Sequence, residues 1–396
     1  MTAITLLRLL PSRKRREWLS APGVTPGDWP YPRPLLEACM EDERPRVIQN
    51  ILDAQQNLDD STGVTFVSQV TDMASPEQRE LWMARVCAFK DVDLSSELAL
   101  LAPQLPSFEA GQLEGLMTRL LPVQDTHFEL ILRSLGPGLR AFMDEQLELL
   151  GKTVLGLISE MSRGEAYGGI GQALERFSED LQADFARDTL NMTNPKAKAL
   201  GLIGLAAAFK SSPIPYQGEL IAACLQYSGE GTYRVRRAMA KVFDVLEPHV
   251  QRQLIKDILA MKIPGQQLES IVALGPHAGK ILVSERKELM GLFFASRRLL
   301  QRNQCFSTWS QALGNLNDEE IERFMVAARV RGNENYGTYM VISLAANLLL
   351  LNQERQAEIC STIWALNDDH ELKTHALAAL AAGLEKGVRS RRERPV

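Results

Sequence analysis

Apolar side chains recur at helical spacing along almost the whole chain after Leu35. Ile321, Phe324, Met325 and Ala328, for example, fall at positions i, i+3, i+4 and i+7, which places them on one face of an α-helix. Runs that alternate apolar and polar residues, as half-buried strands do, are scarce. The pattern therefore predicts an all-α protein.

The polar segments between these apolar runs carry signals for the start of a helix. Ser75-Pro76-Glu77-Gln78 offers a serine that can cap a helix, a proline at its first position and a glutamine at its third. Similar signals are present in Asn317-Asp318-Glu319-Glu320 and in Asp368-Asp369-His370-Glu371. Each segment predicts that a new helix begins there.

In the second half of the chain the predicted helix starts are evenly spaced. They lie 31 to 37 residues apart, near Asn194, Gly231, Gln266, Arg302, Asn333 and Asp368. A partner helix is predicted in each interval, at Gln217–Tyr227, Pro248–Met261, Ser284–Ala295, Asp318–Arg331 and Gln353–Leu366. One helix pair per period is typical of an α-solenoid, a superhelix in which each antiparallel pair buries its apolar face against its neighbours.

The first half is less regular. Starts near Asp60, Asp93 and Asp125 keep a similar spacing, with partner helices at Pro76–Phe89 and Phe108–Leu121. A longer helical segment is predicted between Gly136 and Gly164, and the glycines of Gly164–Gly171 favour a hinge. We therefore expect an irregular helical array over residues 35–163 and regular repeats over residues 164–385. Two arrays joined near residues 136–171 and one smooth superhelix both fit this pattern.

Both ends of the chain differ from this body in composition and charge. Residues 1–34 are rich in proline and carry a net charge of +4, and residues 386–396 also carry +4. Because the overall net charge is −5, the residues between them carry −13. We expect an extended arm at the first end and a disordered tail at the second. The prolines of Asp28–Pro34 fit either an arm packed on the first helices or a polyproline-type ligand.

Within the arm, the apolar segment Thr5–Leu10 is followed by the cations of Arg13–Arg16. Two interpretations fit this order for residues 1–16: packing onto the first helix pair, and a weak contact with a membrane surface. A secretory signal has the opposite order, and no apolar stretch reaches the length of a membrane span. We therefore expect a cytoplasmic protein, and export by a route that uses no such signal stays open.

The segment Tyr233–Phe243 resembles the second helix of a HEAT repeat, because its Val235-Arg236 step is followed by small residues and a large apolar one. The helices that start near residues 194 and 369 match this pattern more loosely. The resemblance covers roughly residues 190–385 and implies a HEAT- or armadillo-like scaffold that binds other molecules on its surface. In that family the repeat arginine ties neighbouring repeats together through an acidic partner, which implies a structural role for Arg236.

Candidate catalytic motifs fail on spacing. His370 and His375 stand at i and i+5, about 140° apart around a helix, so they cannot share one zinc ion as an i, i+4 pair does. Gly151-Lys152-Thr153 lacks the glycine that a phosphate-binding loop carries five positions earlier. The five cysteines lie at least 48 residues apart, so there is no CxxC pair. We expect no metal, no cofactor and no enzymatic activity.

Basic residues occur at similar positions of successive predicted repeats. They are Lys196, Lys198, Arg234, Arg236, Arg237, Arg297 and Arg298. Two interpretations fit them: a ridge that binds an acidic peptide or a phosphate group, and salt bridges to Glu and Asp residues of neighbouring repeats.

Together these patterns favour a non-enzymatic scaffold that binds a protein or peptide on its surface. One alternative is a HEAT-like protein that binds nucleic acid or excises bases, against which the charge of −13 on the body argues. The other is an exported bacterial effector or a secretion regulator, with residues 1–34 as its leader.

Overall fold

The computed structural model describes residue 36 and residues 44–55, 70–122, 125–211, 214–329, 336–365 and 370–392. Within these ranges the chain forms helices and connections and no strand, so the predicted all-α class is confirmed. The predicted arm over residues 1–34 and the helix start near Asp60 lie outside the described residues. None of the described helices is long and apolar enough to cross a lipid bilayer.

Nineteen α-helices are present in the described part of the chain. The first ten are α1 Arg44–Gln55, α2 Pro76–Ala88, α3 Asp91–Leu101, α4 Ala110–Leu120, α5 Asp125–Leu135, α6 Asp144–Leu155, α7 Glu160–Ile170, α8 Glu179–Asn191, α9 Pro195–Ala206 and α10 Gln217–Gln226. The others are α11 Thr232–Lys241, α12 Pro248–Leu259, α13 Pro264–Leu274, α14 Val283–Ala295, α15 Leu299–Trp309, α16 Asp318–Arg329, α17 Tyr336–Ala346, α18 Gln353–Trp364 and α19 His370–Arg392.

The odd-numbered helices from α3 to α19 begin at intervals of 32 to 37 residues. Three of them begin two or three residues earlier than the sequence pattern predicts, α3 at Asp91, α13 at Pro264 and α15 at Leu299. The starts predicted near Asn333 and Asp368 lie outside the described residues. The interval is kept in both halves of the chain, including the half where the sequence pattern is less regular.

A short 3-10 helix follows each odd-numbered helix from α3 to α17. These are Ala102–Ser107, Gly136–Ala141, Leu174–Arg176, Ala207–Lys210, Phe243–Val245, Gly275–Lys280, Ser310–Asn315 and Leu348–Leu350. A 3-10 turn after an α-helix gives some of the last carbonyl groups a hydrogen-bond partner. The chain then turns toward the next even-numbered helix.

In ten of the described helices, the fourth residue has a long side chain that donates a hydrogen bond. Because a helical Cα–Cβ bond points toward the N-terminus, this side chain reaches back to carbonyl groups that precede its own helix. Gln267 of α13 donates from Nε2 to the carbonyls of Ile258 and Leu259 at the end of α12, at 3.0 Å each. Equivalent bonds are made by Arg79, Arg163, Gln182, Lys198, Gln251, Arg286, Arg302, Gln356 and Lys373. We call this contact the fourth-residue cap.

The chain divides into two compact units, unit 1 with residues 1–223 and unit 2 with residues 224–396. In unit 1, α3, α5, α7 and α9 pack in series, α2 packs on α4, and α6 packs on α8. In unit 2, α11, α13, α15, α17 and α19 pack in series. Each helix therefore packs mainly on helices that are next to it, or next but one, along the chain.

Ion pairs join side chains that are 29 to 37 residues apart, which is about the interval between odd-numbered helices. They are Arg133–Glu165, Arg140–Glu175 and Arg176–Asp144 in unit 1, and Arg237–Glu269, Arg286–Glu320, Lys287–Glu319, Arg329–Glu358 and Arg355–Asp318 in unit 2. The pair of Arg286 and Glu320, at 2.8 Å, is buried. Glu320 also accepts a bond from the backbone N–H of Asn317, so its charge is not left without partners in the core.

The glycine-rich segment Gly164–Gly171 is not a hinge, because it belongs to α7 and the residue that ends it. A Cβ atom built on Gly169 would lie 1.9 Å from the carbonyl oxygen of Leu132 in α5. One built on Gly171 would lie 2.0 Å from the carbonyl oxygen of Gly204 in α9. These glycines let the backbone of α7 contact both neighbouring helices. The helical segment predicted over residues 136–164 is divided among a 3-10 helix, α6 and the first residues of α7, and the two compact units meet in sequence at residues 223 and 224.

A disordered tail is predicted over residues 386–396, and α19 continues into this segment as far as Arg392. Lys and Arg have high helix propensity, and cations near a helix C-terminus interact favourably with the helix dipole. The basic composition of this segment thus favours helix as well as solvent exposure.

The space around each glycine predicts opposite effects on stability for two substitutions, one at the contact of α7 with α5 and one in α14. Gly169→Ala should lower the free energy of unfolding by about 1–3 kcal/mol or more, because backbone atoms must move to admit the methyl group. Gly291→Ala, in the interior of α14 where no atom lies within 4 Å of the new Cβ, should raise it by about 0.5–1 kcal/mol. Chemical denaturation followed by circular dichroism measures both. Equal effects of the two substitutions would contradict the close packing.

Candidate functional site

The seven basic residues predicted to bind a partner are divided between the two units. Lys196 and Lys198 belong to α9 of unit 1, Arg234, Arg236 and Arg237 belong to α11 of unit 2, and Arg297 and Arg298 directly precede α15 of unit 2. Arg234 donates to the hydroxyl of its neighbour Tyr233 at 3.1 Å, and the side chains of three others bond to groups farther away in the chain. Lys198 donates to the carbonyl of Leu190 at 2.6 Å, and Arg237 pairs with Glu269 at 3.1 Å. The third is Arg236.

Arg236 is buried, and its guanidinium group is fully engaged inside unit 2. Its Nε donates to the carboxylate of Asp257 in α12 at 2.7 Å. Its terminal nitrogens donate to the carbonyls of Cys224, Leu225 and Tyr227, at and just after the end of α10. The side chain thus joins the helix before α11 to the helix after it. This geometry supports the structural interpretation of Arg236.

Arg163 of α7 makes the same kind of contact in unit 1, although the sequence analysis does not single it out. Its Nε donates to Asp188 of α8 at 3.0 Å, and its Nη1 donates to the carbonyl of Leu157 at 2.6 Å. Tyr167, buried beside it, donates its hydroxyl to the same carboxylate at 2.6 Å. Burial, followed by the bond to Asp188, raises the pKa of Tyr167. An arginine early in one helix and an aspartate in the following helix is the sequence signal that identifies both contacts.

The other basic residues, Lys196, Arg234, Arg297 and Arg298, are exposed. Two of them lie beside exposed apolar side chains at the starts of α13 and α15, which pack on each other. A Cβ atom built on Gly265, in the first turn of α13, would lie 3.3 Å from Nη1 of Arg298, so this guanidinium group lies over the start of α13. The two helix starts therefore form one continuous surface. We define the α13–α15 edge as Lys262, Ile263, Arg297, Arg298, Leu299 and Leu300.

Three apolar side chains of the α13–α15 edge are largely in contact with solvent. Ile263 is 53% exposed, Leu299 is 55% exposed and Leu300 is 67% exposed. Large apolar residues grouped on a surface mark sites where other molecules bind. The sequence pattern places the start of α15 near Arg302, so Leu299 and Leu300 fall before the predicted helix and are not predicted to belong to a site. No capping residue precedes Leu299 to mark the true start.

The backbone adds to the positive charge of the α13–α15 edge. Neither Ile263 nor Arg298, the residues that precede α13 and α15, caps its helix with a side-chain hydrogen bond. The first N–H groups of a helix have no partner within the helix, and its N-terminus carries about half a positive charge. Three cationic side chains, three apolar side chains and two uncapped helix starts therefore lie together.

Two of the corresponding helix starts in unit 1 are capped by side chains. Ser159 caps α7 and Asn194 caps α9. The Glu160 carboxylate also accepts bonds from the backbone N–H groups of Asn194 at 2.7 Å and Thr193 at 3.1 Å. These bonds hold the pKa of Glu160 below its ordinary value. In unit 1, a carboxylate of the protein itself therefore occupies the start of α9.

The polar side chains of the α13–α15 edge are one lysine and two arginines, which offer hydrogen-bond donors to a bound molecule. Elsewhere, in the part of the chain that the structure describes, no three His, Cys, Asp or Glu residues are placed to hold a metal ion.

The contacts of Arg236 predict a loss of stability on its removal. Arg236→Ala should lower the free energy of unfolding by about 1–3 kcal/mol, because Asp257 and buried carbonyl groups lose their donor. Arg234→Ala, two residues away and exposed, should change it by less than about 0.5 kcal/mol. Urea denaturation of both variants checks this. If the two substitutions cost the same, Arg236 does not have the structural role assigned to it.

The bonds to Glu160 predict a pH dependence. A carboxylate whose pKa is lower in the folded state contributes stability that is complete above its unfolded pKa and is lost as the pH falls through the folded pKa. Glu160→Ala should therefore destabilise the protein most at neutral pH, and its difference from wild type should shrink below about pH 4.5. Denaturation of both proteins at about pH 7 and about pH 3.5 measures the change. A difference that stays constant or grows with acidity would contradict this role.

No protein-family model matches the chain, and a search of curated proteins finds no match. Function has to be inferred from the residues themselves.

Proposed function

We propose that this protein is a non-enzymatic helical-repeat scaffold and that its α13–α15 edge binds an acidic, partly apolar segment of another protein. The observation that carries the proposal is the juxtaposition of Arg297 and Arg298 with the exposed side chains of Ile263, Leu299 and Leu300. It deepens the prediction that Arg297 and Arg298 contact a partner.

The packing of the helices supports an α-solenoid of antiparallel helix pairs in each unit. Odd-numbered helices begin at regular intervals and pack in series, and ion pairs connect positions one interval apart. Arg236 joins consecutive helices through Asp257, as the resemblance to HEAT repeats implies. In such arrays the core supplies rigidity while the surface is free to bind partners.

The chemistry of the edge favours a peptide with carboxylates and apolar side chains. Arginine binds carboxylate groups through paired hydrogen bonds, and the uncapped N–H groups nearby favour negative charge. Leucine and isoleucine side chains gain free energy when a partner removes them from water. A partner with only one of these features would leave the other half of the edge unused.

Nucleic acid is a poorer match for the α13–α15 edge. Proteins that grip a phosphate backbone commonly neutralise about six to ten phosphates, whereas the edge offers three cations. The body of the chain carries a net charge of −13, so a polyanion that extends past the α13–α15 edge is repelled by the surrounding surface.

The test measures how tightly the full chain binds a fluorescein-labelled peptide that carries Glu and Leu at helical spacing. Arg297→Glu combined with Arg298→Glu should weaken binding by about tenfold or more, about 1.4 kcal/mol, because attraction becomes repulsion. The matched control, Arg252→Glu with Lys256→Glu, makes the same charge change at two exposed positions of α12. Fluorescence anisotropy at two salt concentrations measures each affinity.

The control distinguishes local recognition from general attraction. Equal weakening by both pairs of substitutions would show that net charge alone drives binding, and no weakening by the first pair would remove the edge from consideration. Leu299→Ser with Leu300→Ser should also weaken the complex without changing its salt dependence. Tighter binding of a single-stranded oligonucleotide, with a steep dependence on salt, would favour the nucleic-acid alternative instead.

A further inference from the structure

A groove lies between α2 and α4 in unit 1, in the part of the chain far from the α13–α15 edge in sequence. It has a volume of about 300 Å³ and is lined by Glu80, Met83, Ala84, Cys87, Gly111, Gln112 and Gly115. We call it the α2–α4 groove. The volume is that of several amino-acid side chains, at the lower end for pockets that bind ligands.

Two glycines of α4 keep the groove open. Gly111 and Gly115 are exposed, stand one helical turn apart, and would have no atom within 4 Å of an added Cβ. A glycine inside a helix costs about 0.5–1 kcal/mol relative to alanine, so contacts within unit 1 give no reason for either residue. Their effect is to admit another chain close to the α4 backbone.

Hydrogen bonds fix the two walls relative to each other at both ends. At the start of α4, Gln112 donates to the carbonyl of Pro76 in α2 at 3.1 Å. At its end, Arg119 donates to the carbonyl of Cys87 in α2 at 3.0 Å. The groove between these bonds is therefore preformed, with an apolar floor that includes Met83 and the half-buried thiol of Cys87.

The rim of the groove includes the carboxylate of Glu80, and other acidic residues are exposed on the same two helices or directly before them. Glu77 and Glu80 of α2 are exposed, as are Glu109 and Glu114 at the start of α4 and within it. Arg85 is an exposed cation on α2. An occupant that matches both rim and floor carries cations beside a short run of apolar side chains.

The N-terminal arm of this same chain has that composition and is tethered nearby. Its apolar residues 3–10 are followed by the four cations of Arg13–Arg16, and residues 1–34 carry +4. Pro45, at the start of α1, accepts a 2.9 Å bond from Gln78 of α2, so the described chain begins α1 beside the start of α2. The roughly twenty residues between Arg16 and Leu36 span up to about 60 Å when extended, and α2 is only about 20 Å long.

We propose that residues 3–16 of the arm dock in the α2–α4 groove, with Leu side chains over Gly111 and Gly115 and Arg13–Arg16 against the exposed glutamates of α2 and α4. This assigns the arm as an intramolecular ligand of unit 1. It is independent of the proposed binding at the α13–α15 edge. A tether of this length gives an effective concentration of about 1 mM, so even a weak intrinsic affinity of about 0.1 mM fills the groove in about nine molecules of ten.

Cys87 provides the readout, because it lines the groove. The test measures the ratio of two labelling rates with N-ethylmaleimide, that of Cys87 divided by that of Cys360. It compares this ratio in the full chain and in a full-length variant with Arg13, Lys14, Arg15 and Arg16 each replaced by Glu. Cys360, half-buried in α18 of unit 2, is the internal reference. Loss of docking should raise the ratio of the two rates by about tenfold, as the occupancy above implies. Removing nearby cations would by itself slow thiolate chemistry, so a faster rate reports an uncovered thiol.

Matched variants distinguish docking from other effects. Replacing Arg389, Arg391, Arg392 and Arg394 by Glu makes the same charge change at the other end of the chain and should leave the ratio unchanged. A synthetic peptide of residues 1–20 should restore slow labelling of Cys87 in the arm variant. Gly115→Leu, which fills the groove, should abolish that restoration. Cys224 and Cys305 are buried and should stay unlabelled in every folded variant.

Three outcomes would overturn the proposal. One is an unchanged ratio in the arm variant while the added peptide also fails to protect Cys87. Another is an equal rise in the C-terminal control. The last is protection that disappears on dilution of the wild-type chain, which would identify a second copy of the chain as the occupant. If the arm variant unfolds, so that Cys224 reacts, a labelled peptide of residues 1–20 is titrated into the wild-type chain and into the Gly115→Leu chain instead. Docking predicts that the peptide binds the wild-type chain by displacing the arm. It predicts no binding to the Gly115→Leu chain, in which the groove is filled.

Discussion

The fourth-residue cap is the interaction on which the structure of both units depends. Most of the described helices are 10 to 13 residues long, a length at which an isolated helix is marginal in water. Each of them also ends with several carbonyl groups that have no partner inside the helix. In ten of the helices a Gln, Arg or Lys side chain bonds carbonyl groups that precede its own helix, and three of these, Lys198, Gln267 and Lys373, reach the last residues of the preceding α-helix. Arg163 extends the cap by bonding an aspartate of the following helix, and Arg236, the fifth residue of α11, makes the same double contact.

Much of this architecture follows from local sequence patterns. Apolar spacing identifies the helices, and cap residues such as Ser75 and Asn194 mark starts that the structure reproduces. The pattern fails where one residue type serves two purposes. Glycines at 164–171 are equally compatible with a flexible loop and with backbone contact between helices, and only the positions of Leu132 and Gly204 distinguish the two. The start of α15 is missed because Arg298 gives no capping signal.

The same limit applies to the candidate site. A list of basic residues contains no information about which guanidinium groups are engaged within the fold, since Arg234, Arg236 and Arg237 are nearly adjacent in sequence. Burial of Arg236, the ion pair of Arg237 and exposure of Arg234 follow from their positions around α11. Arg297 and Arg298 precede α15, so no neighbouring turn is available to bury them. Whether a basic residue is engaged within the fold or exposed therefore depends on its position around the helix and on whether it precedes the first turn.

The ion pairs and caps described above connect only residues within about forty positions of one another, and this has a consequence for how the molecule assembles. When stabilising contacts are local in sequence, little chain entropy has to be lost before each one forms, so folding can begin at any adjacent group of helices and spread from there. The glycine contacts of α5, α7 and α9 make that region a natural nucleus in unit 1. Because each contact is local, one group of helices can open without opening the others. A chain built in this way can lose order at one end while its middle stays folded.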